Sequence, residues 1–110
     1  MAALVRRERE AKEIGLREMA KKIGVSPTYL SKVERDEFPP PAEDKVRKIA
    51  EIIGRGPDEL LALAGRVASD LTDIIRQRPR EMADFLRVAK DLTADDIARL
   101  AKAAQRAKEK

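Results

Sequence analysis

Residues 18–41 run EMAKKIGVSPTYLSKVERDEFPPP. On either side of Gly24-Val25-Ser26 lies a short segment with helical apolar spacing. Met19, Ala20 and Ile23 fall at i, i+1 and i+4, and Leu30 and Val33 at i, i+3. Gly24 suits the left-handed position that ends a helix at low cost. Ser26 followed by Pro27 is a start signal. The hydroxyl can accept from a free first-turn amide, and proline at the first helical position gives up an N–H that has no intrahelical partner there. Pro39, Pro40 and Pro41 lack amide donors and disfavour helical geometry upstream, so the second helix must stop before Phe38. A three-residue turn is too short for two helices to lie side by side, so these two are expected to meet at a sharp angle.

The same reading works outward. Ala3–Ile14 predicts a charged first helix with Leu4, Val5 and Ile14 as its apolar positions, ending near Gly15. Leu16–Ile23 and Ser26–Arg35 are the two helices just described. Ala42–Ile53 predicts a fourth, with Val46, Ile49, Ala50 and Ile53 inward and Glu43 and Asp44 suiting the dipole of its first turn. Pro57–Ala64 predicts a fifth, closed by Gly65. Beyond it, Leu71, Ile74 and Ile75 mark one helix. Met82, Phe85, Leu86, Ala89 and Leu92 mark another after Pro79. Thr93 with Asp96 caps a last one, and Leu92 and Ile97 form its hydrophobic staple. The Ala/Lys-rich tail from Arg99 is expected to fray. No segment predicts a strand, so the fold class is all-α: five helices over 1–65 and a helical extension over 66–110.

Composition narrows the chemistry. Of 110 residues, 43% are hydrophobic, 40% charged and 3% aromatic. The core must be aliphatic, and most mixed charge belongs to solvated helix faces. There is no Cys and no His, which rules out a disulfide scaffold, a Cys/His zinc site and Cys or His catalysis. No Gly-rich phosphate loop or spaced nucleophile–base set is present, so no enzyme, cofactor or metal is expected. Asp95-Asp96 reads as a helix start. No apolar run approaches membrane-spanning length, and no signal-peptide core follows Met1. The expected location is cytoplasmic, in a bacterial or phage-encoded protein that joins the nucleoid when bound. Net charge is +4 with pI ≈ 9.6, a mild hint at a polyanion. Within residues 16–35, Arg17, Lys21, Lys22, Lys32 and Arg35 face only Glu18 and Glu34.

A short helix, a tight Gly-containing turn and a second short helix form an arrangement with a geometric purpose. The first helix crosses a DNA backbone while the second sets its N-terminal residues against base edges in the major groove. From Val5 to Leu61 the chain resembles the lambda-repressor-like (Cro/Xre) helix-turn-helix family. The residues that carry the likeness are R-E-x-x-x-x-I-x-x-x-E-M-A-x-x-I-G-V-S-x-x-Y-L-S-K-V-E-R from Arg9 to Arg35, then Pro41, KIAEIIG and DELL. Ala20, Gly24, Val25, Leu30, Val33 and Glu34 are the specific set. The chain departs from the pattern where Asp36 replaces a Gly, where the following loop is one residue longer, and where Leu16 stands in place of a frequent Gln.

The resemblance implies a five-helix domain whose third helix reads double-stranded DNA. It places base contacts on Pro27, Thr28, Tyr29 and Lys32. Thr28 can hydrogen-bond a base edge or touch a thymine methyl, and Lys32 is a donor for guanine. Tyr29 suits a phosphate or a sugar face, and Pro27 offers apolar contact alone. Phosphate contacts are expected from Arg17, Lys21, Ser31 and Arg35. Plainer readings stand beside these: Tyr29 as a half-buried core residue, Lys21 as a solvated charge, Arg35 as a helix-end cation. Arg9 and Glu34 commonly pair in the family. Glu34 adjoins inward Val33 and needs a donor, so a structural Arg9–Glu34 ion pair is expected.

The extension has its own apolar stripes. Met82, Phe85, Leu86 and Ala89 would pack on Ile97, Leu100, Ala101 and Ala104 in a hairpin. So short a segment buries little core alone. It is expected to make a homodimer, with docking on the first domain as the alternative. The functional expectation is a sequence-specific transcriptional regulator, a dimeric repressor. The competing one is an antitoxin-like module whose C-terminal helices bind a toxin or other protein partner.

Overall fold

A computed structural model describes residues 1–109. In chain order its helices are α1 (Ala2–Ala11), α2 (Leu16–Ile23), α3 (Pro27–Glu34), α4 (Glu43–Ile53), α5 (Pro57–Leu63), α6 (Ser69–Gln77), α7 (Pro79–Ala89) and α8 (Ala94–Lys108). No strand forms among the described residues. The chain divides into two compact units, Met1–Ser69 and the residues from Asp70 onward.

The first unit holds the core. Met19, Ala20 and Ile23 of α2, Leu30 of α3, Val46, Ile49 and Ala50 of α4, and Leu60 of α5 are fully buried, together with Val5 of α1. Each large aliphatic side chain so buried stabilises by about 1.5–3 kcal/mol before ordering costs. α2 packs on α3 and α4, α1 on α3 and α4, and α4 on α5. Gly24 takes φ 79° and closes α2. Gly54 takes φ 75° and closes α4.

The first helix is shorter than its apolar spacing suggests. α1 ends at Ala11, Glu13 adopts φ 56°, and the Ile14 amide donates to the Arg9 carbonyl at 3.1 Å. Ile14 thus packs on the core from a turn rather than from a helix. At the other end the unit runs past residue 65. Arg66 donates to the carbonyls of Pro40 and Pro41. The Ser69 amide and hydroxyl donate to Glu43 Oε1 and Oε2 at 2.8 and 2.9 Å. Those bonds, amide first, hold the Glu43 carboxyl below its ordinary pKa.

The second unit is helical as far as Lys108 but closes no core among the described residues. The expected hairpin burial does not occur: no described residue of α6, α7 or α8 is buried. Phe85, Leu86, Ile97 and Leu100 are each 44–52% exposed, and Met82 and Ala89 are half-buried. A segment this short has too few apolar layers to enclose itself. α8 opens on a capping box in which the Asp96 amide donates to Thr93 Oγ1 at 3.1 Å. It continues through the Ala-rich tail to Lys108, where fraying was expected, because alanine is the strongest helix former.

Candidate nucleic-acid interface

α3 is eight residues long and is fixed by polar contacts as much as by packing. At its start, Ser26 Oγ accepts from the Tyr29 amide at 3.1 Å and Pro27 occupies the first helical position. Inward, Leu30 and Val33 are buried. At its end Glu34 is 7% exposed, the one buried charged residue among those described.

Its partner is Arg9 of α1. Arg9 Nε donates to Glu34 Oε2 at 2.8 Å and Nη2 to Oε1 at 2.9 Å, a two-pronged fork. Nη1 donates to the Ile14 carbonyl at 2.8 Å. The bonds to Glu34 raise the Arg9 pKa above its ordinary value, against the lowering by burial. Charge-assisted paired bonds of this kind fix direction as well as distance. The fork therefore ties the last turn of α3 to α1 and to the turn before α2.

The remaining side chains of α3 divide into two groups. Pro27, Thr28, Ser31 and Arg35 line an open groove of about 560 Å³, closed on its other side by Gly15, Leu16 and Arg17 of the α2 start. Five of the residues expected to touch DNA therefore meet along one trough. Leu16, standing where a Gln is frequent, turns partly onto the core while lining that trough. Lys21 is exposed on α2 and lies outside it. Arg35 is already engaged: Nε donates to the Ser31 carbonyl at 3.4 Å, and Nη2 lies 3.4 Å from Glu37 Oε2. Its remaining guanidinium donors are still available to a phosphate.

Tyr29 and Lys32 form the second group, around Phe38, which sequence reasoning named only as the residue before which α3 must stop. The Phe38 ring centroid lies 5.8 Å from that of Tyr29, with the planes tilted by 40°. Lys32 Nζ sits 5.1 Å from the Phe38 centroid. Tyr29 is half-buried by this arrangement. The only available signal was an aromatic residue just past the helix in a chain that is 3% aromatic. Arg55 was also passed over. It lies 3.4 Å from Glu8 and 3.2 Å from Glu59, joining α1 to α5.

Several solved structures are similar to this chain. SinR, in a structure described as the master regulator for biofilm formation in complex with DNA, is 28% identical over 55% of this chain and 95% of that one, with TM-score 0.49. A SinR–SinI protein complex matches over 99% of this chain and 98% of its own, at 18% identity and TM-score 0.51, which is a likeness of fold. ClgR from Corynebacterium glutamicum, described as the clp gene regulator, is 27% identical over 81% of this chain and 85% of that one, with TM-score 0.50. A comparison with curated proteins finds no significant match. The helix-turn-helix family model matches residues 5–60, half of the sequence and the whole of the α1–α5 frame but its edges, and this chain belongs to that family, in its lambda-repressor-like (Cro/Xre) form.

Proposed function

We propose that the protein is a sequence-specific DNA-binding transcriptional regulator that sets α3 into the major groove and acts as a dimeric repressor. The observation that carries this reading is the trough between α3 and the α2 start, where Arg17, Thr28, Ser31 and Arg35 converge. Two cations and the Ser31 hydroxyl beside two helix N-termini suit a phosphodiester strand. Thr28, Tyr29 and Lys32 then reach base edges, with Pro27 adding apolar contact. Lys21, exposed on α2 outside the trough, adds a further phosphate contact. ClgR, a gene regulator by its description, supports the same assignment.

Dimerisation follows from the second unit. Phe85, Leu86, Ile97 and Leu100 are exposed, and a second copy would cover both stripes. Such a pair presents two α3 helices to half-sites about one DNA turn apart, and a protein seated there occludes the DNA it covers. The same exposed faces favour a second reading, capture of a partner protein in the manner of an antitoxin.

The test is binding to duplexes selected from a random pool, measured against salt. With Arg17, Lys21 and Arg35 on each of two protomers touching phosphate, log K should fall with log salt at a slope of about −5. Lys32→Ala should cost about 1–3 kcal/mol per half-site on the selected sequence and much less on unrelated DNA. Equal binding to all sequences would defeat the regulator reading and leave the partner-protein one.

A further inference from the structure

We propose that Phe38 is a positioning residue for base reading, holding the Lys32 ammonium in place through its ring; this rests on α3 being the DNA-reading helix. Phe38 is an unusual place to spend an aromatic side chain. It is 39% exposed and stands outside the core cluster, so what it covers is the surface of α3 rather than the centre of the unit.

Its backbone is nevertheless fixed from both sides. Upstream, the Asp36 amide donates to the Val33 carbonyl at 3.1 Å and the Glu37 amide to the Lys32 carbonyl at 2.9 Å. Asp36 itself turns through φ 60°. This closure folds the chain back along α3 instead of leading it away. Downstream, Pro39 to Pro41 restrict the backbone, Pro41 is buried, and Arg66 anchors the carbonyls of Pro40 and Pro41. The segment is a strap, and Phe38 is the residue it lays against the helix.

What the ring meets there is Tyr29 and Lys32. The Tyr29 contact, at 5.8 Å and tilted, lies within the range of attractive aromatic pairs. It steadies the ring. The Lys32 ammonium, 5.1 Å from the centroid, lies within reach of the ring's negative face. An unrestrained lysine is a flexible point charge that distinguishes bases poorly. Held over a ring, it loses rotamers before DNA arrives. An ammonium carries three donors, so contact with one face leaves donors for a guanine edge. The restraint therefore acts on discrimination more than on phosphate attraction.

The experiment uses the full chain and the duplex selected by the wild-type protein, with a variant duplex changed at the base pair read by Lys32. Phe38→Leu keeps apolar bulk and removes the ring; Phe38→Tyr keeps the ring. Phe38→Leu is expected to reduce discrimination between the two duplexes about fivefold, with the salt slope unchanged. Phe38→Tyr should discriminate as wild type does. In a Lys32→Ala background the Phe38→Leu effect should vanish. Discrimination unchanged by Phe38→Leu, or an equal loss in the Lys32→Ala background, overturns the proposal while leaving DNA reading intact. A wild-type protein that selects no sequence overturns both.

Discussion

Replacing Arg9 by Ala tests whether α3 is held by its polar fork. The substitution removes two bonds to Glu34 and one to the Ile14 carbonyl. The larger cost is what stays behind. The Glu34 side chain is 4% exposed and is left without a donor. Breaking a buried pair from one side costs about 3–5 kcal/mol. The Arg9 side chain is 11% exposed, so water reaches the vacated site and the lower end applies, about 3 kcal/mol. For a domain of this size that lowers Tm by about 10–20 °C. Circular dichroism melts of wild type, Arg9→Ala, Glu34→Ala and the double variant form a cycle. The double variant should lose less than the two singles added together, because neither charge is then left unpaired. An apolar swap, Arg9→Met with Glu34→Leu, should recover most of the stability while loosening the direction of α3. A shift under about 3 °C for Arg9→Ala, or the same loss in the Glu34→Ala background, would refute the reasoning.

Gly24→Ala should cost about 1 kcal/mol, because φ 79° is strained for any residue with a Cβ and the added atom would lie 3.2 Å from Lys45 Nζ; Glu13→Gly, at φ 56°, should instead gain about 0.5 kcal/mol, and thermal melts read both signs. Sedimentation should find the whole chain dimeric and a 1–69 truncation monomeric at micromolar concentration, with that truncation still folded because it keeps Arg66 and Ser69; a dimeric truncation would move the interface out of α6–α8. The Glu43 carboxyl should titrate below its ordinary value of 4.5 in NMR, and Ser69→Ala should bring it part of the way back, since the amide bond survives. A depressed carboxyl pKa stabilises the fold above the unfolded value, and that contribution is lost as pH falls through the folded one, so the Glu43–Ser69 link should open under acid conditions.

The parts of the fold legible in the sequence were those set by local rules. Ser26-Pro27 and Thr93-x-x-Asp96 announce helix starts through chemistry contained within four residues. Gly24 and Gly54 announce helix ends through φ values that other residues avoid. The apolar spacing of Met19, Ala20 and Ile23 names the inward face of α2 without reference to what it meets. Glu13 carried no such signal: a left-handed glutamate is imposed by its surroundings, and Gly15 nearby was the more obvious stop. Arg55 and Arg66 were illegible for a related reason: each acts across a long stretch of chain, on partners that approach only after α1 to α5 have packed. Phe38 acts on Tyr29 and Lys32 close by in the chain, but only once the segment after α3 has turned back on it. Arg9 and Glu34 also act at long range, and there the family likeness supplied what local rules cannot. The stripes of α7 and α8 were legible as stripes, but apolar spacing says only that a face seeks cover, and in this chain those faces stay open.

Why α3 should need so many polar restraints follows from its size. Isolated helices shorter than about 12–15 residues are marginal in water, and α3 has eight residues with two buried apolar anchors, Leu30 and Val33. Two anchors i, i+3 apart define a line along the helix and leave it free to roll about that line. Ser26 settles the start, the Arg9 fork settles the roll at the end, and Phe38 settles the side chains on the outward edge. On the proposed reading, a helix fixed in this way offers few polar base readers, since Pro27 has no donor to offer. Sequence preference would then depend on placing Thr28 and Lys32 accurately rather than on adding contacts. On that argument, substitutions that never touch DNA, at Arg9 or Phe38, should change which sequences are chosen more than removal of an exposed cation such as Lys21 does. A Lys21→Ala variant should weaken binding to all duplexes alike, whereas a Phe38→Leu variant should bind unrelated DNA normally and lose its preference.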